Sequence, residues 1–132
     1  MKITADTNLL VRSLVDDDPR QAELARSELQ NAEAVALTAT ALCELVWVLR
    51  RGYRLSPAEI AGAMRVLLSG ANVLSDEALT EAGLAHLDAG GDFADGVIAL
   101  NGAWLGADEF VSFDRQAVRL VTSRGGAARL LA

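Results

Sequence analysis

The chain has 132 residues, with 12 basic against 18 acidic side chains for a net charge of −6, 52% hydrophobic residues and two prolines. That length fits one domain with one core, and the composition excludes a disordered or collagen-like chain. The negative balance excludes non-specific attraction to nucleic acid as the whole basis of function, so any nucleic-acid role needs a localised site. The longest apolar stretches, Ala39 to Leu49 and Val97 to Leu105, fall short of the roughly 20 residues a membrane span needs. An acid stands at position 6, where a signal peptide would place its apolar region, so a cytoplasmic protein without membrane attachment is expected.

In chain order, short β-type runs alternate with longer helical patterns. The first run, Lys2 to Ala5, leads into Asp6. Asp18-Pro19 reads as an N-cap followed by proline at the first helical position, opening a helix whose apolar face passes through Ala22, Ala25 and Leu29. Asp16 to Asp18 then forms a solvated turn. A second run, Ala34 to Leu37, precedes the apolar stretch that ends near Gly52. Ser56-Pro57-Ala58-Glu59 predicts a capping box and a helix reaching about Leu68, punctuated by Gly70. After a run at Asn72 to Leu74, Ser75-Asp76-Glu77 opens a helix towards Leu87, Gly90-Gly91 breaks it, and Asp92 caps another to about Leu105. Runs at Glu109 to Phe113 and, weakly, Ala128 to Leu131 complete the chain. Strands joined by helical crossovers imply parallel pairing, hence an α/β fold, three-layer α/β/α around a central, mainly parallel sheet. In such sheets a ligand site lies beyond the carboxyl ends of the strands, near a switch in strand order.

Several chemistries are excluded by residue count. Cys43 is the only cysteine and His86 the only histidine, so no internal disulfide, thiolate zinc cluster or multi-imidazole site can form within one chain. Cys43 reads as a small buried apolar residue. No phosphate-binding glycine loop occurs, and Lys2 is the only lysine.

Carboxylates remain. Asp6 and Asp114 each follow a strand, a position that suits an N-cap as well as a catalytic edge. Asp92 and Asp95 lie three apart at a helix start, on one face, and would also answer the helix dipole. Glu44 is the only charged residue from Ala34 through Leu49, which predicts a carboxylate in a largely buried helix. Burial there would cost several kcal/mol unless a cation or donors meet it, and Arg50 and Arg51 are the nearest candidates for a salt bridge. If the strand order brings the edges together, Asp6, Glu44, Asp95 and Asp114 converge with Asp92 beside them. Such a group calls for a hard divalent cation, Mg²⁺ or Mn²⁺, and for metal-assisted phosphodiester hydrolysis.

Four segments, Ile3 to Arg12, Leu42 to Leu49, Gly91 to Ala99 and Val111 to Arg115, resemble the PIN-domain ribonucleases in order and spacing, over nearly the whole chain. Within that family the chain looks most like the VapC-type toxins of bacterial toxin-antitoxin modules. The resemblance implies a single PIN-like domain over residues 1–132 and an Mg²⁺-dependent endoribonuclease. It also implies an acidic quartet of Asp6, Glu44, Asp95 and Asp114 with Asp92 as an additional acid, a homodimer, an RNA substrate and a cognate VapB-type antitoxin that covers the site. Ser112 stands where many relatives have Thr, and Gly96 where Ala is frequent. The glycine costs a helix about 1 kcal/mol but allows closer backbone approach to a metal.

Arg12, Arg50, Arg51, Arg54 and Arg115 fall near the expected edge and could meet an RNA backbone, although arginines near helix C-termini also answer the dipole. Trp47 and Trp104 are expected in the core or at an interface rather than as base-stacking platforms. Two other functions compete with the nuclease: a catalytically inactive PIN-fold module that binds RNA or protein, and a metal-dependent phosphohydrolase of small molecules. An Asp-x-Asp pair after the first strand would favour the latter, but Asn8 occupies the second position.

Overall fold

A computed structural model describes all residues from Met1 to Ala132, and the chain divides into two compact units, Met1–Asp76 and Glu77–Ala132. The first contains β1 (Lys2–Thr4), α1 (Thr7–Leu14), α2 (Pro19–Asn31), β2 (Ala34–Ala36), α3 (Ala39–Arg51), α4 (Pro57–Leu68) and β3 (Val73–Leu74). Its strands pair in parallel in the order β1-β2-β3, with Ile3 opposite Val35 and Val35 opposite Val73. Leu10, Leu42, Leu45, Leu49, Ile60 and Met64 are fully buried and form its core. The second unit contains α5 (Glu77–Asp88), α6 (Phe93–Trp104), β4 (Phe110–Ser112), α7 (Arg115–Ser123) and β5 (Ala128–Leu130). Here β4 and β5 pair in parallel, and Phe93 and Leu87 are sealed in the core. Each sheet runs in sequential order, so neither contains within itself the switch in strand order that the sequence led us to expect.

Local chemistry explains where the helices start. Asp18 accepts from the Gln21 N–H with Pro19 at the first helical position, and the Ser56 and Glu59 side chains each accept from the other's backbone N–H, so the capping box forms as expected. Thr38, which the sequence pattern did not single out, caps α3 through the Ala41 N–H. The turn before α2 is more than solvated: Asp17 accepts from Arg12 Nη1 at 3.1 Å and from Tyr53 Oη at 2.7 Å, while Asp16 pairs with Arg26. Tyr53 and Arg12 both hold Asp17 below the usual carboxylate range, the phenol hydrogen bond being the larger cause. Asn72 Nδ2 donates to the Leu29 and Ala32 carbonyls at the end of α2, fixing the entry to β3.

Helices α5 and α6 pack closely because small residues face each other. A Cβ on Gly96 would collide with the Ala82 carbonyl oxygen and come within 3.0 Å of His86 Cδ2. The close approach expected at Gly96 is therefore made to the neighbouring helix. Gly90, with φ at +83°, makes the left-handed reversal between the two helices. Gly96→Ala should destabilise the protein by about 1–3 kcal/mol through overpacking, despite the gain in helix propensity. At Gly102, where an added Cβ meets nothing, the same change should raise the melting temperature. Thermal melts of the two variants check this contrast.

Candidate functional site

Three of the five expected acids begin helices. Asp6 Oδ1 accepts from the Leu9 N–H at 2.8 Å, Asp92 Oδ1 from Ala94 at 3.1 Å, and Asp114 Oδ1 from Ala117 at 3.0 Å. All three are exposed, and in each the second carboxylate oxygen has no protein partner. Capping and ligand binding, weighed above as alternatives, are thus compatible in one side chain. The Asp114 N–H donates to Ser112 Oγ at 2.9 Å, so the hydroxyl that serine shares with threonine shapes the turn that presents Asp114.

Asp95 differs from the other four. It lies in the first turn of α6, half-buried, and its carboxylate makes no hydrogen bond or ion pair. Its pKa is raised, first by burial and then by the negative charges of Asp92 and Asp114. Three acids of the second unit therefore form one electrostatic cluster around Asp95.

Glu44 requires a correction. The sequence pattern predicts a buried carboxylate, yet Glu44 is exposed and accepts from Thr7 Oγ1 at 2.9 Å. Helix α3 is apolar overall but buries one face only, through Ala41, Leu42, Leu45, Val46 and Leu49, and Glu44 lies on the other. No salt bridge to Arg51 forms at Glu44. Trp47, 64% exposed, shares that outer face, and Trp104 is 53% exposed, so neither tryptophan is in the core. Cys43 is half-buried rather than fully buried. Thr7, adjacent to Asp6 and bonded to Glu44, is a residue that sequence reasoning passed over; its only signal was its place directly after the strand-end acid.

The fit to a metal has two sides. All candidate donors are oxygens and Asp95 has no counter-charge, which suits a hard cation. In neither unit, however, do three Asp, Glu, His or Cys side chains come together as a metal-holding group. The first unit places Asp6 and Glu44, and the second Asp92, Asp95 and Asp114.

Of the five arginines considered, Arg12 is held by Asp17 and Arg50 has an interaction partner, whereas Arg51, Arg54 and Arg115 are exposed and unpaired. His86 is 2% exposed with Nδ1 unpartnered, and burial, with Arg124 nearby, lowers its pKa. It is a neutral core histidine.

The PIN-domain family model matches residues 3–121, running through both units. The chain belongs to the PIN-domain family. No curated protein matches it. As a PIN domain it has the three-layer α/β/α fold class with parallel strands that its sequence led us to expect. PIN domains are commonly nucleases and typically use divalent metals, which makes this a nuclease-type fold and supports a hydrolase in general. No helix of this PIN domain is long and apolar enough to cross a membrane.

Two outcomes follow from the side-chain environments. Because the pKa of Asp95 is raised above its ordinary 3.8, its contribution to stability is complete below that value and is lost as pH rises towards the raised one. Asp95→Asn should therefore raise the melting temperature in EDTA at pH 7, with the difference closing near pH 3. Glu44→Gln, on an exposed face and retaining an acceptor for Thr7, should leave stability within about 0.5 kcal/mol of the parent. A denaturant titration of that variant would show a much larger loss if Glu44 were neutralising a buried cation.

Proposed function

We propose that the chain is an Mg²⁺-dependent endoribonuclease, the VapC-type toxin of a toxin-antitoxin module. The observation that supports this most is Asp95, a half-buried carboxylate with no protein partner and two further carboxylates raising its pKa. An ionised group in that position calls for a cation from outside the chain. Asp6, Glu44, Asp95 and Asp114 are assigned as the catalytic quartet, with Asp92 as a further ligand, holding Mg²⁺ or, as a substitute, Mn²⁺. When bound, the ion would polarise a phosphoryl oxygen and lower the pKa of an attacking water. The protein's part is orientation. Capping bonds fix one oxygen of Asp6, Asp92 and Asp114 and leave the other for a ligand, and Thr7 steadies Glu44. The reading includes an RNA substrate, a cognate VapB-type antitoxin covering the acids, a homodimer and a cytoplasmic location.

A second reading, an inactive PIN module that binds RNA or protein, is favoured by one observation, the lack of a formed metal-holding group. Purified protein incubated with Mg²⁺ and total RNA, beside a generic phosphatase substrate, separates the readings. RNA alone should be cut, and phosphatase turnover alone would identify a small-molecule phosphohydrolase. Asp6→Asn and Asp95→Asn should each reduce cleavage by more than about 10²-fold with the fold intact. Wild-type rates in both variants would remove the acids from catalysis. Millimolar Mg²⁺ or Mn²⁺ should also raise the melting temperature of the wild type by linkage, less so in Asp95→Asn and at lower pH. A melting curve indifferent to either ion would leave these acids as caps.

A further inference from the structure

Helix α3 carries a carboxylate, an indole and a guanidinium in one row on the face it keeps out of the core. Glu44, Trp47 and Arg51 are all exposed and follow each other at spacings of three and four residues, so they lie on successive turns. Glu44 is fixed at one end by Thr7. The Arg51 guanidinium at the other end makes no ion pair or hydrogen bond within the protein. Trp47 between them is 64% exposed, whereas tryptophan is on average highly buried. The core does not need this indole, because Leu42, Leu45, Val46 and Leu49 fill the opposite face.

We propose that Trp47 is a stacking platform for a base of single-stranded RNA next to the scissile phosphate, with Arg51 taking the backbone phosphate beyond it. This inference rests on the ribonuclease reading above and specifies how that substrate is held. The row spans about 10 Å from Glu44 to Arg51 at the α-helical rise, between one and two nucleotide steps along a strand. An aromatic face offers every base a π-surface, and a guanidinium pairs with phosphate in a bidentate fork. A helical stem, whose bases are already stacked, gains nothing from the indole, so the strip selects unpaired RNA. The charge pattern separates Trp47 from Trp104. Trp104, 53% exposed, ends its helix next to Leu105 at 84% exposed; an apolar pair of that kind suits a protein contact. Trp47 has a carboxylate one turn before it and an unpaired cation one turn after.

A Trp104→Phe background leaves Trp47 as the only tryptophan. In EDTA, where no cleavage occurs, a short single-stranded RNA should quench its fluorescence and a duplex of equal length should not. With Mg²⁺, Trp47→Ala should raise KM about 10-fold or more with kcat little changed, and Trp47→Phe should recover most of the loss. Arg51→Ala should weaken binding and lower the slope of log affinity against log salt by about 1. If the wild type cuts RNA while Trp47→Ala keeps the same KM and no quenching occurs, the platform is overturned and the ribonuclease reading stands. Unchanged KM together with an altered oligomeric state on size exclusion would likewise overturn it, making the indole a protein contact. Quenching by single-stranded RNA without any cleavage by the wild type would overturn the ribonuclease reading and keep Trp47 as a base platform.

Discussion

A carboxylate oxygen accepting a backbone N–H in the first turn of a helix is the interaction on which this structure repeatedly depends. Its strands are two or three residues long, so the chain must leave each strand and begin a helix within a few residues, and the first N–H groups need acceptors at once. Asp6 and Asp114 meet that need directly after β1 and β4, and Asp92 does so after the reversal at Gly90. An aspartate reaches the N–H with one oxygen only. The other is left oriented and solvent-facing, so the geometry that starts the helix also leaves an acceptor atom without a partner in the chain.

A cap alone does not make a site, as Asp18 shows. It begins α2 in the same way, but the acids next to it are answered, Asp16 by Arg26 and Asp17 by Arg12 and Tyr53. Those partners lower the pKa of Asp17, the ordinary fate of a surface carboxylate in a folded protein. The second unit reverses the sign. Asp95 sits among carboxylates, half-buried and without a cation, and its proton is held more tightly. The contrast between a carboxylate whose partners are supplied by the chain and one whose partner is not separates two kinds of acid here better than position along the sequence does.

What was legible in the sequence was local. Asp18-Pro19, the Ser56 to Glu59 box, Asp92 after two glycines and the five short β runs each act through neighbours a few residues away, and each is found where expected. Family membership was legible because four motifs recur in order. Glu44 was misjudged because a count of apolar residues carries no phase: α3 is apolar on average yet keeps Glu44, Trp47 and Arg51 on one outer row. The role of Gly96 was also out of reach, since its close partner, the Ala82 carbonyl, belongs to another helix. The hydrogen bond from Thr7 to Glu44 joins residues 37 apart, a pairing that no spacing rule in a single sequence reveals.

The net charge of −6 constrains how such a chain could handle a polyanion. Part of the arginine complement is already engaged, with Arg12, Arg26 and Arg129 each held by a carboxylate. Long-range attraction is therefore weak, and contacts must be made at short range by the guanidiniums that remain unpaired, Arg51 among them. A divalent ion at the acids would reverse the local sign just where a phosphate must approach, and a flat indole adds stacking that neither salt nor net charge controls. On the ribonuclease reading, a bound ion and an aromatic surface would therefore act together, supplying at short range what the overall field of an acidic chain does not.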